Sequence, residues 1–191
     1  NPGGVLNAAV AISDAFLTSG TIVYTEGRIR DSQLKFKAAP DDVLEGAPIV
    51  VLVNGGSASA SEIVAGALQD HKRAVIMGQQ TFGKGTVQNL YSLDQYVRRP
   101  DDEGLGQLTL TIGKYYRVTG ESTQHRGVDP DIALPSPIDT TVVGESVRDS
   151  ALPWDTIRTT EFRAGSPLDS TISSLTANHI SRAKEDPDFQ Y

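Results

Sequence analysis

Residues 48–77 constrain the fold of this 191-residue chain most strongly, because they follow the pattern strand, helix, strand. Residues 48–53 carry apolar side chains at successive positions, which predicts a strand covered by helices on both faces. A single helical stripe of apolar side chains follows over 59–70, formed by Ile63, Val64, Ala67 and Leu68. A second buried strand is predicted over 74–77. The stretch therefore predicts a βαβ unit with parallel strands and a right-handed crossover.

Helical spacing and two-residue alternation predict further elements on both sides of this unit. They are a helix over 5–19, strands over 21–30, 86–93 and 107–118, an extended piece over 129–134 and a helix over 169–184, with polar connections over 31–46 and 98–106. The composition becomes polar after Pro135, so we expect a core over 1–135 and, over 136–191, a linker with the start of a helical extension. The predicted fold class is α/β with a helical C-terminal appendage.

Composition excludes several classes of function. The net charge of −7 provides no basic face for a phosphate backbone, so we expect no nucleic acid partner. No apolar run approaches the ~20 residues of a membrane span. The chain contains no Cys and its three His residues are scattered, which argues against a disulfide, a catalytic thiolate, a metal site or another cofactor. The chain starts N-P-G-G without an initiator Met or signal peptide pattern, so we expect it to begin inside a longer protein.

Three serines, Ser57, Ser59 and Ser61, stand at the predicted helix start. A hydroxyl at a helix N-terminus lies beside unpaired backbone N–H groups, which could stabilise the oxyanion of an attacked carbonyl. Small residues around the serines would let a substrate backbone approach closely. The spacing of Ser59 and Glu62 also matches the capping box, in which both side chains only satisfy the helix end. The residues alone do not decide between these interpretations or among the serines.

Lys84 lies in loop 78–85, which follows the second strand and should share one edge of the sheet with the serine turn. A neutral lysine amine can act as general base for a serine, provided that desolvation lowers its pKa from about 10.4. An exposed loop lysine is the alternative. If residues 84–88 are extended, Gln88 shares a face with Lys84 and could orient the amine, or it could be an ordinary polar strand residue.

Asp70 lies in the last turn of the predicted helix, where the negative end of the helix dipole disfavours a carboxylate. A partner should compensate for this position. We expect either a local ion pair with Lys72 or Arg73 or a part in catalysis.

A competing motif overlaps Lys84. Residues 78–84 match G-x-x-x-x-G-K, the phosphate-binding loop of nucleotide-binding proteins. Gly85 stands where that loop needs a Ser or Thr for the metal, and a strand is predicted where a helix should begin. A serine at a helix start and a lysine base together would suit a serine–lysine hydrolase. The alternatives are a nucleotide-binding loop over 78–86 and a non-catalytic peptide-binding module.

Longer motifs follow one another in order along the chain. They are N-P-G-G at 1–4, V-N-G-G-S-A-S-A-S-E-I-V-A-G-A-L-Q-D-H at 53–71, G-Q-Q-T-F-G-K-G-T-V-Q at 78–88 and K-Y-Y-R-V-T-G-E-S-T-Q-H-R-G-V-D-P-D-I at 114–132. Together they resemble the carboxy-terminal processing, or tail-specific, serine proteases over most of 1–135. A-L-P-W-D at 151–155 and K-E-D-P-D-F at 184–189 resemble the periplasmic branch of that family. The resemblance implies a crotonase-like ββα spiral core.

The resemblance also implies a serine endopeptidase in which Ser59 is the nucleophile and Lys84 the general base. The positions that form the oxyanion hole and bind substrate fall on Gly3, Gly4 and Ala60. Gln88 and Asp70 match residues that assist catalysis in some members, and supporting positions fall on Glu62 and Thr81.

The setting implied by the resemblance is the periplasm. The expected partners are protein substrates with unstructured C-terminal tails, the PDZ module of the parent chain and, in some cases, an adaptor protein. No cofactor is implied. The N-terminal part of the protease domain and the PDZ module are not among these residues, so the resemblance does not imply that this stretch is active by itself.

Overall fold

The computed structural model describes residues 1–98, 104–136, 139, 142–160, 162 and 164–189. Within them the helices are α1 Leu6–Asp14, α2 Ala60–Asp70 and α3 Asp169–Glu185. The strands are β1 Thr21–Glu26, β2 Leu34–Lys37, β3 Val50–Val53, β4 Val75–Gly78, β5 Thr86–Ser92, β6 Gln107–Tyr116 and β7 Ile132–Ala133. This arrangement confirms the predicted α/β class with a helical C-terminal part.

The first sheet is parallel and has the strand order β3-β4-β7. β3 and β4 pair from Val50 opposite Val75 to Val53 opposite Gly78, and α2 connects them, so the predicted βαβ unit is confirmed. α2 buries Ile63, among other side chains, in the core that also contains residues of β4. Burial of each aliphatic side chain of this kind stabilises the fold by about 1.5–3 kcal/mol.

The second sheet is antiparallel and has the order β2-β1-β6-β5, which leaves β5 at one edge. β5 and β6 pair from Thr86 opposite Lys114 to Ser92 opposite Gln107. The register shifts between Val87 and Gln88, as at a β-bulge. Residues 99–103 of the predicted connection between these strands lie outside the described residues.

β3 is covered on one face only, so the prediction of two covered faces is wrong. Val53 is buried and Val51 packs against the core, whereas Val50 and Leu52 are 54% and 73% exposed. The strand therefore follows the alternation of a half-buried strand. Apolar side chains on its outer face concealed that alternation in the sequence.

The polar connection predicted over 31–46 contains a strand that sequence reasoning missed. β2 pairs with β1 at the edge of the antiparallel sheet, and its Phe36 packs against the core. Lys35 and Lys37 flank this side chain and are exposed. A short strand with outward lysines is typical of a protected sheet edge, and its charge weakens the strand signal.

Residues 144–157, which we call the C-terminal strap, run across β6 and the turn that follows it. The Trp154 indole N–H donates to the carbonyl of Ser122 (2.9 Å), and the guanidinium of Arg126 lies 3.4 Å from the centre of the Trp154 ring. Asp155 pairs with Lys114 of β6, with 3.0 Å between Oδ1 and Nζ. These contacts attach the strap to the core.

The strap also contacts the loop that precedes β5. The Glu145 N–H donates to the carbonyl of Phe82 (3.0 Å), and the Gln124 side-chain amide lies 3.4 Å from Glu145 Oε1. Gln124 in turn accepts the N–H of Gly85 (2.8 Å). Beyond the strap, α3 buries none of its side chains.

Candidate active site

Ser59 is the N-cap residue of α2, at the end of the turn that leaves β3. Its backbone angles are φ 55° and ψ −113°, a conformation that costs a residue with a side chain about 1–3 kcal/mol. Neither Ser57 nor Ser61 has a positive φ. The Ser57 hydroxyl accepts the N–H of Asn54 (3.2 Å) and so belongs to the turn itself. Among the three serines, the imposed conformation therefore singles out Ser59.

Glu62 is fully buried and joins the two halves of the site. Its Oε2 accepts the N–H of Ser59 (2.6 Å), as the capping box predicts, and also the N–H of Lys84 (3.0 Å). Its Oε1 accepts the Thr81 hydroxyl (2.5 Å) and the N–H of Gly83 (2.7 Å). Burial raises the pKa of the Glu62 carboxyl, while these four hydrogen bonds act in the opposite direction. One carboxylate thus fixes the serine turn to the lysine loop.

Lys84 is half-buried, and its Nζ donates to Gln88 Oε1 at 3.1 Å. This is the hydrogen bond that the spacing of the two residues predicts. The register of β5 shifts after Val87. Thr86, before this bulge, is buried, whereas Gln88, after it, is exposed. Gln88 therefore reaches the amine from the open side of the site.

Tyr115 of β6 lies beneath the site and was missed in the sequence. Its hydroxyl is 2.8 Å from the carbonyl oxygen of Lys84 and 3.1 Å from that of Ser59. The Thr123 hydroxyl donates to it at 2.8 Å. Alternation along β6 places Tyr115 on the face of Thr109 and Thr111, so the pattern gives no sign of a buried ring, and nothing local in the sequence identifies partners that come from two distant loops.

A cavity of about 550 Å³ opens over these residues. Of the predicted site residues, it brings together Gly4, Ser59, Ala60, Lys84 and Gln88. Its apolar lining comes from Val5, Leu6, Ile63, Val87 and Leu90. The cavity therefore combines a hydroxyl, an amine and an apolar surface large enough for a side chain of a peptide.

The two N-terminal glycines occupy different places. Gly3 has φ 99°, and its α-carbon is so close to the serine turn that a Cβ atom there would lie 2.5 Å from the carbonyl of Ala58. Its N–H donates to Asn1 Oδ1 (3.0 Å). Gly4 instead lines the cavity and has open space at its α-carbon. The N-terminal turn thus packs directly against the residue that precedes Ser59.

Asp70 lies at the opposite end of α2 and does not line this cavity. Its carboxylate forms two hydrogen bonds with Arg117, at 2.6 and 3.0 Å. This pairing raises the pKa of the Arg117 guanidinium, although burial acts in the opposite direction and more strongly than any single contact. The local pair expected with Lys72 or Arg73 is wrong, since Arg73 pairs with Asp42 instead (3.0 Å).

Loop 78–85 does not have the structure of a phosphate-binding loop. β5 begins at Thr86, where a helix N-terminus would be needed. The N–H groups of Gly83 and Lys84 donate to the Glu62 carboxylate, and that of Gly85 donates to Gln124. Because these donors already have protein acceptors, the loop is not available to surround a phosphate.

The described residues contain neither a membrane-spanning helix nor a cluster of metal ligands. No helix among them is long and apolar enough to cross a membrane. Among the described residues, no group of three or more His, Cys, Asp or Glu side chains is arranged to hold a metal ion.

Comparison with known proteins gives consistent matches. The model of peptidase family S41 matches residues 1–134, and that of the C-terminal domain of tail specific protease matches residues 138–191. A carboxy-terminal-processing protease of Bartonella bacilliformis is 49% identical over 138 residues, which cover 72% of this chain and 30% of the relative. A tail-specific protease of Haemophilus influenzae is 41% identical over 196 residues, covering 99% of this chain and 27% of the relative.

Solved structures agree with the sequence matches. The photosystem II D1 C-terminal processing protease superposes with a TM-score of 0.59 at 32% identity. The superposition covers 70% of this chain and 32% of that protein. In each of these comparisons the chain spans about a third of the relative's length or less.

Proposed function

The chain belongs to peptidase family S41, and from this premise we propose that it carries the Ser59–Lys84 dyad of a serine endopeptidase that cleaves proteins near their C-termini. One observation carries the proposal. Ser59 and Lys84 line the same cavity, and the N–H groups of both donate to the same oxygen of Glu62.

The proposed reaction begins when Ser59 Oγ attacks the carbonyl carbon of the scissile peptide bond and its proton passes to neutral Lys84 Nζ. Gln88 Oε1 accepts a hydrogen bond from that amine and so holds it in place. The C–N bond then breaks, and Nζ returns the proton to the leaving amine. Water then attacks the carbonyl carbon of the resulting acyl ester while Nζ removes a proton from this water. The ester C–O bond breaks, and Nζ returns the proton to Ser59 Oγ.

The negative charge on the attacked oxygen needs donors in the cavity wall. We assign them to the N–H of Ala60, at the start of α2, and to the N–H of Gly4. Gly3 is the weaker candidate because its N–H already donates to Asn1. The dipole of α2 adds to the stabilisation of this charge.

The substrate is proposed to be an extended, unstructured C-terminal segment of a protein. β5 lies at the edge of its sheet and lines the cavity through residues 87–90, so a peptide can add beside it with main-chain hydrogen bonds. The apolar lining would take one side chain of the peptide. A PDZ module in the parent chain, an adaptor protein and a periplasmic location are further parts of this proposal, and they rest on the family.

The test uses the complete protein and an unfolded reporter peptide. Ser59→Ala and Lys84→Ala should each lower kcat by roughly 10⁴-fold or more, because each removes a group that the reaction cannot replace. Ser61→Ala, two residues further along α2, is the matched control and should cleave like the wild type. A non-catalytic peptide-binding module would show no difference among the three variants, and cleavage retained in Ser59→Ala would overturn the proposal.

A further inference from the structure

We propose that Tyr115 is a positioning residue of the dyad, and that its buried hydroxyl holds the main chains of Ser59 and Lys84 at a fixed separation. This inference rests on the proposed function. It assigns to Tyr115 no direct contact with the substrate or the reacting atoms.

The geometry of the Tyr115 hydroxyl carries the inference. It lies 2.8 Å from the carbonyl oxygen of Lys84 and 3.1 Å from that of Ser59, and the residue is only 2% exposed. Ser59 follows β3 and Lys84 follows β4, whereas Tyr115 comes from β6 of the other sheet. The hydroxyl is therefore an anchor outside both loops that touches the backbone of each catalytic residue.

Thr123 orients this anchor. Its hydroxyl, fully buried, donates to the Tyr115 oxygen at 2.8 Å. This hydrogen bond occupies a lone pair of the Tyr115 oxygen, so the single proton of the phenol is directed to the two carbonyl oxygens. Burial, together with the nearby Glu62 carboxylate, raises the pKa of Tyr115 well above its usual value, so the phenol remains a donor in alkaline solution.

Glu62 and Tyr115 hold complementary groups of the same two residues. Glu62 accepts the N–H groups of Ser59 and Lys84, and Tyr115 binds their carbonyl groups. Loss of the Tyr115 hydroxyl would leave the N–H groups of Ser59 and Lys84 bound to Glu62 and would free the Lys84 carbonyl, whereas the Ser59 carbonyl would still accept the N–H groups of α2. We therefore expect a displaced dyad in a folded protein, since a displacement of about 1 Å can lower the rate roughly 100-fold.

The experiment compares Tyr115→Phe with Tyr24→Phe in the complete protein. Tyr24 is the matched control: it is buried in the same sheet and its hydroxyl donates to a main-chain carbonyl, that of Arg158 (2.9 Å). Tyr115→Phe should lower kcat about 10- to 100-fold and leave KM within twofold, because phenylalanine retains the ring that lines the cavity. Tyr24→Phe should leave both constants within twofold of the wild type.

Thr123→Val provides a second variant that retains the tyrosine ring and its packing. It should lower kcat less than Tyr115→Phe does, and the double variant should be no slower than Tyr115→Phe alone, because both changes act through one hydroxyl. If Tyr115→Phe does not fold, judged by its thermal unfolding, a lower kcat in Thr123→Val supports the inference and an unchanged kcat overturns it.

Ser59→Ala in the same assay separates the two proposals. An inactive Ser59→Ala beside a Tyr115→Phe variant with wild-type kcat would overturn the role of Tyr115 and leave the proposed function standing. A Tyr115→Phe variant in which only KM changes would also overturn it, because positioning of the dyad acts on kcat. An active Ser59→Ala would instead remove the proposed function itself.

Discussion

Glu62 shows which contacts of a single residue can be predicted from a sequence. Its spacing from Ser59 predicts a helix cap, and the carboxylate does accept the N–H of Ser59. The other oxygen binds Thr81 and Gly83, which follow the next strand. The first contact is local and follows from the pattern, whereas the second depends on how the chain returns after β4. A capping residue can therefore also be the centre of the site.

The backbone strain at Ser59 predicts a difference in thermal stability between two variants that lack the Ser59 hydroxyl. Ser59→Gly should unfold at a higher temperature than Ser59→Ala, because glycine adopts φ 55° and ψ −113° without a clash between its side chain and the backbone. We expect a difference of about 1 kcal/mol, since the greater freedom of glycine in the unfolded chain offsets part of the relief. Thermal unfolding of the two variants measures this difference. Equal midpoints would show that the conformation stores no strain.

The buried carboxyl of Glu62 predicts a pH dependence of stability. Its pKa is raised above the ordinary value of 4.5, so the folded protein holds this proton more tightly than the unfolded chain does. The free energy of unfolding should therefore fall as pH rises from about 4.5 through the raised pKa, and level off above it. Thermal unfolding across this range should show the slope in the wild type.

Glu62→Gln is the control for that measurement, because it lacks the titrating group. Its amide nitrogen would face two N–H or O–H donors, so the variant should be less stable by about 1–3 kcal/mol for each donor left without an acceptor. The difference between the two proteins should shrink as pH rises through the window. A constant difference would mean that the pKa of Glu62 is not raised.

At the scale of elements, the predictions that were confirmed came from local patterns. The stripe of α2, the strands on either side of it and the existence of β5 and β6 are all encoded in adjacent residues. β2 was missed because two lysines mask a strand that exists only by pairing with β1. The exposed face of β3 was missed because burial is decided by what packs there. At both strands the prediction and the structure differ because of tertiary neighbours, which no local pattern specifies.

The C-terminal end of α2 predicts a structural role for Asp70. Asp70→Asn should remove the charge partner of the mostly buried Arg117 and lower stability by about 3 kcal/mol. Below the unfolding temperature, its kcat should remain within a fewfold of the wild type because Asp70 lies outside the cavity. Asp42→Asn, which breaks the pair with Arg73, is the control. A much lower kcat in Asp70→Asn than in Asp42→Asn would instead place Asp70 in catalysis.

At the scale of the whole molecule, the strap connects the C-terminal part of the chain to the site. It is attached to β6 through Asp155 and to the following turn through Trp154, and it reaches the lysine loop through Glu145. No local pattern identifies the partners of Trp154, since these lie in a turn that precedes it by many residues. The core and the C-terminal part are thus joined at the loop that carries Lys84.

Release of the strap should loosen that loop. Trp154→Ala removes the indole that donates to Ser122 and stacks with Arg126, and should lower stability by about 2 kcal/mol because the ring is only half-buried. Hydrogen exchange of the amides in 79–85 should become faster. Leu175→Ala, on the exposed face of α3, is the control and should leave that exchange unchanged. Unchanged exchange in both variants would show that the strap does not support the loop.

The contact between Glu145 and Phe82 has a consequence for the order in which a chain is made. A ribosome releases the lysine loop well before residues 144–157, so the carbonyl of Phe82 waits for a donor that has not yet been synthesised. Until then Gln124 also lacks its acidic neighbour. The loop that carries Lys84 therefore acquires its final set of contacts only in a chain that has been translated through the strap.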